Sequence, residues 1–168
     1  MNPLKVLEFP DKKLRIKSKN VEVFDEKLRK FAERMFVTMY AEDGIGLAAP
    51  QTNHHIRLIT LDTRPIRESD RKLCLINPEI VHKEGKTEWD EGCLSVPGIN
   101  AMVKRAEKVK VSYKNLDGES EELEADGIEA ICIQHEIDHL DGVLFIDHLS
   151  RLKRNMVIHK IKKMKQKG

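Results

Sequence analysis

Two histidines four residues apart, His135 and His139, bracket Glu136 in the stretch QHEIDHLDG at 134–142. Residues at i and i+4 of a helix lie one above the other, so both imidazoles project from one face. Such a pair offers a metal ion two nitrogen ligands, and the carboxylate between them can act on a water held there. Around it, Ile128, Ile131, Cys132, Ile133, Ile137 and Leu140 fit a buried helix that ends near Gly142. A histidine pair on a buried helix needs a reason to be there, and the nature of the third ligand decides which chemistry it serves.

The remaining chain can supply a core around such a helix. Its 168 residues suit one domain, with no repeat, low-complexity segment or Pro/Gly/Ser linker to divide it. A first helix is predicted from Asp25 to Glu42. Leu28, Phe31, Ala32, Met35, Phe36, Met39 and Tyr40 recur at helical spacing, Asp25 is the N-cap, and Asp43-Gly44 is the stop. Strands are expected at 56–61, 73–76, 80–82 and 108–113, then a turn over 115–118 and a polar strand over 119–125. A last helix is expected over 148–168. From Ser150 onward it carries eight Lys or Arg and no acid, with Leu152, Met156, Ile158, His159 and Ile161 as an apolar stripe. It reads either as a solvated basic helix or as a docking element for a phosphate-rich partner such as ribosomal RNA.

Composition narrows the setting. A 40% hydrophobic, 35% charged chain suits a soluble protein, and no apolar run is long enough to span a bilayer, so no membrane role is expected. A net charge of +2 does not argue for nucleic acid, and no sequence-specific nucleic-acid partner is expected. The start of the chain lacks the features of a signal peptide. Cys74, Cys93 and Cys132 are an odd set at no disulfide-like spacing, which points to a reducing cytoplasm.

The search for a third ligand comes up empty downstream. In metzincins a third His follows six residues after the second, a position held here by Phe145. No Glu follows Glu136, and Asp141, Asp147, His148 and His159 belong to no recognisable ligand pattern. Upstream, Glu91-Gly92-Cys93-Leu94-Ser95 sits at an expected strand end before a turn at Pro97-Gly98. The Cys93 thiolate could complete a Cys/His/His set with a position left for water, or Cys93 could be a small buried thiol. A further segment, Gly44-Ile45-Gly46-Leu47-Ala48-Ala49-Pro50-Gln51, follows the first helix, and its small residues allow close backbone approach to a ligand or another segment. It lacks the Lys and Ser/Thr of a phosphate loop.

Taken together, GIGLAAPQ at 44–51, EGCLS at 91–95 and QHEIDH at 134–139 resemble the three signature motifs of the peptide deformylase family, in the family's order and across the whole chain. The resemblance implies an α+β fold, with antiparallel sheets wrapped around a central helix carrying HEIDH and a C-terminal helix. It implies that Cys93, His135 and His139 hold a divalent metal, Fe(II) physiologically, with zinc, nickel or cobalt able to replace it. The implied reaction is hydrolysis of the formyl group from the N-terminal formyl-methionine of new polypeptides. Glu136 would carry the proton, and the Gln51 amide and Leu94 N–H would stabilise the oxyanion.

By the same resemblance the peptide lies as an added strand against Ile45, Gly46 and Gly92. The methionine side chain would enter a pocket lined by Ile45, Ile128, Ile131 and Cys132, with Trp89 near its rim. Arg105 is expected to brace Glu91. Asn100 stands where some bacterial members carry a substrate-contacting Arg, so that contact is not carried over. His54 and His55 fall in a polar turn and are expected to be solvated. Two other classes remain to be told apart: a metallopeptidase cutting internal bonds, and a non-catalytic metal- or ribosome-binding protein.

Overall fold

In the computed structural model, residues 1–167 are described. Helix α1 spans Glu26–Ala41, and the Asp25 carboxylate accepts the Leu28 N–H at 3.0 Å, satisfying an amide that the helix start leaves free. The strands are β1 (Gly46–Ala48), β2 (Leu58–Asp62), β3 (Lys72–Glu84), β4 (Thr87–Cys93), β5 (Val96–Arg105), β6 (Lys108–Lys114) and β7 (Ser120–Asp126). Helix α2 (Gly127–Leu140) carries the HEIDH segment, and α3 (Arg151–Lys167) closes the described chain.

All pairings are antiparallel. A five-stranded sheet has the order β1-β2-β3-β6-β7, and β4 and β5 form a separate hairpin. Alternation along β2 sends Ile59 and Leu61 into the core shared with Ala130, Ile133 and Ile137 of α2. Leu58 joins Leu28, Met35 and Met39 of α1 on the other side. A third cluster joins Val96, Ile99 and Val103 of β5 to Leu144, Phe145, Ile146 and Ile161. The α+β fold, with antiparallel sheets around the HEIDH helix and a C-terminal helix, is the one expected.

Helix α2 is buried on nearly every side, with Ile128, Ala130, Ile131, Ile133, Ile137 and Leu140 spread around it among buried polar residues. Its end is set where the sequence predicts. Gly142 adopts φ +74°, donates to the His139 carbonyl at 3.1 Å, and is followed by Val143 N–H to Asp138 O at 2.9 Å. These paired bonds make a Schellman cap, and a side chain at Gly142 would run into the Arg15 backbone. Ser18 N–H and Arg57 take up the remaining Leu140 carbonyl at 2.8 and 3.2 Å.

Four expectations change. The segments 73–76 and 80–82 belong to one strand, β3. Asn77, at φ +49°, breaks the register before Glu79 without ending the strand, and its side chain bonds Val21 N–H and O instead. Pro97-Gly98 is not the turn; the chain reverses at Leu94-Ser95, and both residues lie within β5. The last helix starts at Arg151 rather than 148, because 145–148 form a 3-10 turn; Gly168 lies outside the described residues. Its inward side carries the buried Ile161 and the half-buried Val157 and Ile158, whereas Leu152 and Met156 are 72% and 64% exposed. The i, i+3, i+4 rule identified a stripe but not which side of it the β5 hairpin covers.

Candidate metal centre and substrate cleft

Helix α2 places His135 and His139 side by side, with ring centroids 5.0 Å apart, and both are buried. Cys93 reaches them from the end of β4, its Sγ 3.3 Å from His139 Nε2. One ligand atom from each of the three lies within 4.8 Å of the others. Metal–nitrogen and metal–sulfur bonds of about 2.1 and 2.3 Å give tetrahedral ligand separations of about 3.5 Å, so one thiolate and two imidazoles at this spacing fit a divalent ion. Phe145, at the metzincin third-ligand position, instead stacks on His135 with centroids 6.0 Å apart.

The hairpin delivers Cys93 through an irregularity. Glu91 pairs with Ala101 but Cys93 with Val96, so β5 carries extra residues opposite Gly92. Such a bulge bends the hairpin and re-aims side chains. Glu91 and Cys93, two apart, face α2 together. The Glu91 carboxylate takes His135 Nδ1 at 2.9 Å, directing the other ring nitrogen toward Cys93 and His139. Arg105 grips Glu91 with two bonds of 2.8 and 2.9 Å and reaches Asp138 at 2.7 Å, so the expected brace is present and extends further. His148 closes the network on Asp138 at 2.8 Å.

Electrostatics separate the three α2 groups. Burial opposes charge on His135, but Glu136, Cys93 and Glu91 outweigh it and raise its pKa well above the usual value. Burial and then the neighbouring His135 hold His139 well below its usual value. Burial pushes Glu136 up to about 7. Its Oε1 is buried without a hydrogen-bond partner, and Gly46 packs directly against Glu136 and Cys132 where any side chain would collide with both. A bare backbone at 46 is therefore what leaves this carboxylate its place.

Gln51 is oriented by bonds on both sides of its amide. Its Oε1 accepts Ala48 N–H at 2.8 Å, which turns Nε2 toward Ser95 Oγ at 3.0 Å and Cys93 Sγ at 3.6 Å. The N-terminal segment holds both motifs together, with Leu7 N–H on Gln51 O and Phe9 N–H on Ser95 O, each at 2.7 Å. Leu94 sits at the corner of the β4–β5 turn and packs against Gly44.

These residues line a cleft of about 510 Å3. Ile45, Gly46, Gln51, Trp89, Gly92, Cys93, Leu94, Ile128, Ile131, Cys132, His135 and Glu136 all border it, so every expected pocket residue is brought together here; His139 lies just beneath. Trp89 is 39% exposed, as a rim position requires. Asn100 does not border the cleft; its side chain lies over Gly92, leaving no room there for a Cβ. His54 is exposed as expected, but His55 is half-buried, and burial lowers its pKa. A larger polar groove of about 670 Å3 lies at Arg67, Arg71, Glu124 and Glu129, where Arg67 pairs with Asp70 and Asp126, and Arg71 with Glu129.

The profile of the polypeptide deformylase family matches residues 3–155. This chain belongs to that family. A peptide deformylase of Chromobacterium violaceum is 50% identical over 165 residues, spanning 98% of each chain. The crystal structure of a Legionella pneumophila deformylase superposes with a TM-score of 0.91 at 45% identity, covering 98% of this chain and 96% of that one. A Synechococcus elongatus deformylase, solved in complex with actinonin, gives 0.88 at 44% identity, covering 95% and 88%.

The deformylase motifs thus converge on one cleft. Sequence reasoning missed Ser95, Asp138 and Ile66. Ser95 and Asp138 stand inside the quoted motifs, and their spacing was a usable signal. Ile66 comes from the 63–71 loop, which no motif marks.

Proposed function

We propose that this chain is a metal-dependent hydrolase that removes the formyl group from the N-terminal formyl-methionine of new polypeptides, with Cys93, His135 and His139 holding a divalent ion. The carrying observation is the buried, unpartnered Glu136 carboxylate beside a convergent Cys/His/His set in a peptide-sized cleft. A divalent ion on these residues supplies Lewis acidity that makes water acidic enough to ionise near neutral pH. Fe(II) is the ion assigned, with zinc, nickel and cobalt as substitutes.

The protein's own groups account for the rest. Glu136 takes the proton of the attacking water and returns it to the departing amine, a task suited to a carboxylate whose pKa burial raises toward neutrality. Gln51 Nε2, held in place from Ala48, and the Leu94 N–H face the negative charge that develops on the formyl oxygen. The methionine side chain occupies the apolar wall formed by Ile45, Ile128, Ile131 and Cys132. Strands β1 and β4 each pair on one side only, so both offer a free backbone edge to an extended peptide at Ile45, Gly46 and Gly92. Trp89 closes the rim.

The chain works as one unit over 1–168 in the cytoplasm, where formylated chains emerge. The basic face of α3 docks on the ribosome. Among the described residues, no helix is long and apolar enough to cross a membrane.

Anaerobic incubation of the metal-loaded protein with formyl-Met-Ala-Ser tests the reaction. Release of formate with a free amine supports it. Cleavage of an internal bond would mark a metallopeptidase, and no product a binding protein. Glu136→Gln should retain the metal and lose nearly all formate release.

A further inference from the structure

One further histidine reaches the metal centre only through other side chains. The buried Arg105 guanidinium lies between two carboxylates. Its Nε and Nη2 donate to Glu91 at 2.8 and 2.9 Å, and its Nη1 donates to Asp138 Oδ2 at 2.7 Å. His148 Nε2 meets the same Oδ2 at 2.8 Å. An ionised carboxylate only accepts, so Nε2 carries the hydrogen. Its 3.4 Å approach to Arg105 Nη1 is then two donors converging on one oxygen. His148 is no ligand itself, since the three convergent ligand atoms belong to Cys93, His135 and His139.

The place of the His148 ring is set by its own segment. The 3-10 turn at 145–148 is anchored by the buried Phe145 and Ile146, by Leu144 N–H on Asp147 Oδ2 at 2.9 Å, and by Arg15 on Asp147. The ring stands at the outer edge of the network. Of the two carboxylates that hold Arg105, the Glu91 side chain is 4% exposed and that of Asp138 27%. Asp138 is therefore the carboxylate at which solvent competes for the guanidinium. If Asp138 turned away, Arg105 would lose its second anchor, and the fork that aims Glu91 at His135 Nδ1 would loosen. A second donor on Oδ2 opposes that turn.

We propose that His148 is a positioning residue for the metal centre: by fixing the Asp138 carboxylate it keeps Arg105 forked on Glu91, and so keeps His135 aimed at Cys93 and His139. This rests on the metal-hydrolase reading of the same site. Outer partners of metal-ligating histidines typically affect metal affinity about 10- to 100-fold, and His148, several contacts out, belongs at the lower end.

The test follows loss of Co(II) from the anaerobic, metal-loaded protein to excess EDTA, read by its visible absorption. His148→Phe keeps a ring without a donor and should release the ion about tenfold faster than the parent. His148→Gln keeps an N–H near the Nε2 position and should stay within about twofold of the parent. In a Glu91→Gln background the fork is already broken, so adding His148→Phe should change the rate by less than about twofold. If the Phe variant does not fold, His148→Asn, whose shorter side chain does not reach Oδ2, replaces it with the same expectations. A Phe variant that releases Co(II) at the parent's rate overturns the proposal. So does a Gln variant as fast as the Phe variant, or an undiminished effect in the Glu91→Gln background. Formate released by the parent from formyl-Met-Ala-Ser upholds the deformylase reading whichever way these rates fall. A parent that retains no Co(II) overturns both.

Discussion

The carboxylate of Glu91 lies 2.9 Å from Nδ1 of His135 and is held at both of its oxygens by Arg105, itself buried. This pair links the hairpin that supplies Cys93 to the helix that supplies both histidines. Orienting partners of this kind typically affect metal affinity or activity about 10- to 100-fold.

Glu91→Gln is therefore expected to weaken metal retention by about 10- to 100-fold, read by competition with a chelator. It also leaves Arg105 with only Asp138, and breaking a buried pair one-sidedly costs about 3–5 kcal/mol. Adding Arg105→Met should recover much of the melting temperature but not the metal affinity, separating orientation from stability.

Gln51→Ala removes the oriented Nε2 donor. Losing such a donor lowers kcat about 100-fold or more. Because Gln51 Nε2 also bonds Ser95, the check is Ser95→Ala. It loosens Gln51 while keeping the donor, and should reduce kcat by less.

Gly46→Ala places a methyl group against Glu136 and Cys132. Overpacking of this sort costs about 1–3 kcal/mol, so the melting temperature should fall together with kcat. Cys132→Ala in that background should restore part of the stability, and leave kcat low because the Glu136 contact persists. Recovery of full activity in the double variant would falsify the role given to Gly46.

Acid should unfold the protein through its paired carboxylates. The Arg64 fork holds Asp62 far below its usual range. At Asp138 and Asp147 burial opposes charge, but bonds from His148 and Arg105, and from Arg15, outweigh it and lower the pKa. A folded-state pKa below the unfolded one contributes stability that is complete above the unfolded value, about 4, and is lost as pH falls through the folded value. Urea midpoints should fall as the pH drops below about 4. Asp62→Asn should flatten that fall relative to the parent protein, both losing metal alike.

Ribosome docking through α3 is best tested by charge rather than by truncation, because Ile161 is buried and belongs to the third core cluster. Replacing the exposed Lys153, Lys160, Lys163 and Lys167 with Gln should lower ribosome co-sedimentation and flatten its salt dependence, with formate release from a short peptide retained. Equal co-sedimentation would remove α3 as the docking element.

What was legible in the sequence is what local geometry determines. The i, i+4 pair, the apolar surroundings of α2, its Gly142 stop and the Asp25 cap of α1 each depend on residues within a few positions of one another, where helical period and capping chemistry act. The motifs that resemble a known family named the ligands and the pocket residues, and the cleft gathers all of them except the buried His139 beneath it. Reading Pro97-Gly98 as a turn failed because Gly98 at φ +78° serves a bulge inside β5, and propensity does not distinguish a bulge from a reversal.

Only the tertiary structure decided the rest. Residues by themselves made Cys93 a possible ligand or a plain buried thiol; the shifted register of β4 on β5 put its sulfur 3.3 Å from His139. The Leu7 and Phe9 clamps and the covered face of α3 likewise come from segments far apart in the chain. Such contacts depend on which surfaces meet in three dimensions, and no periodicity within one segment records that meeting.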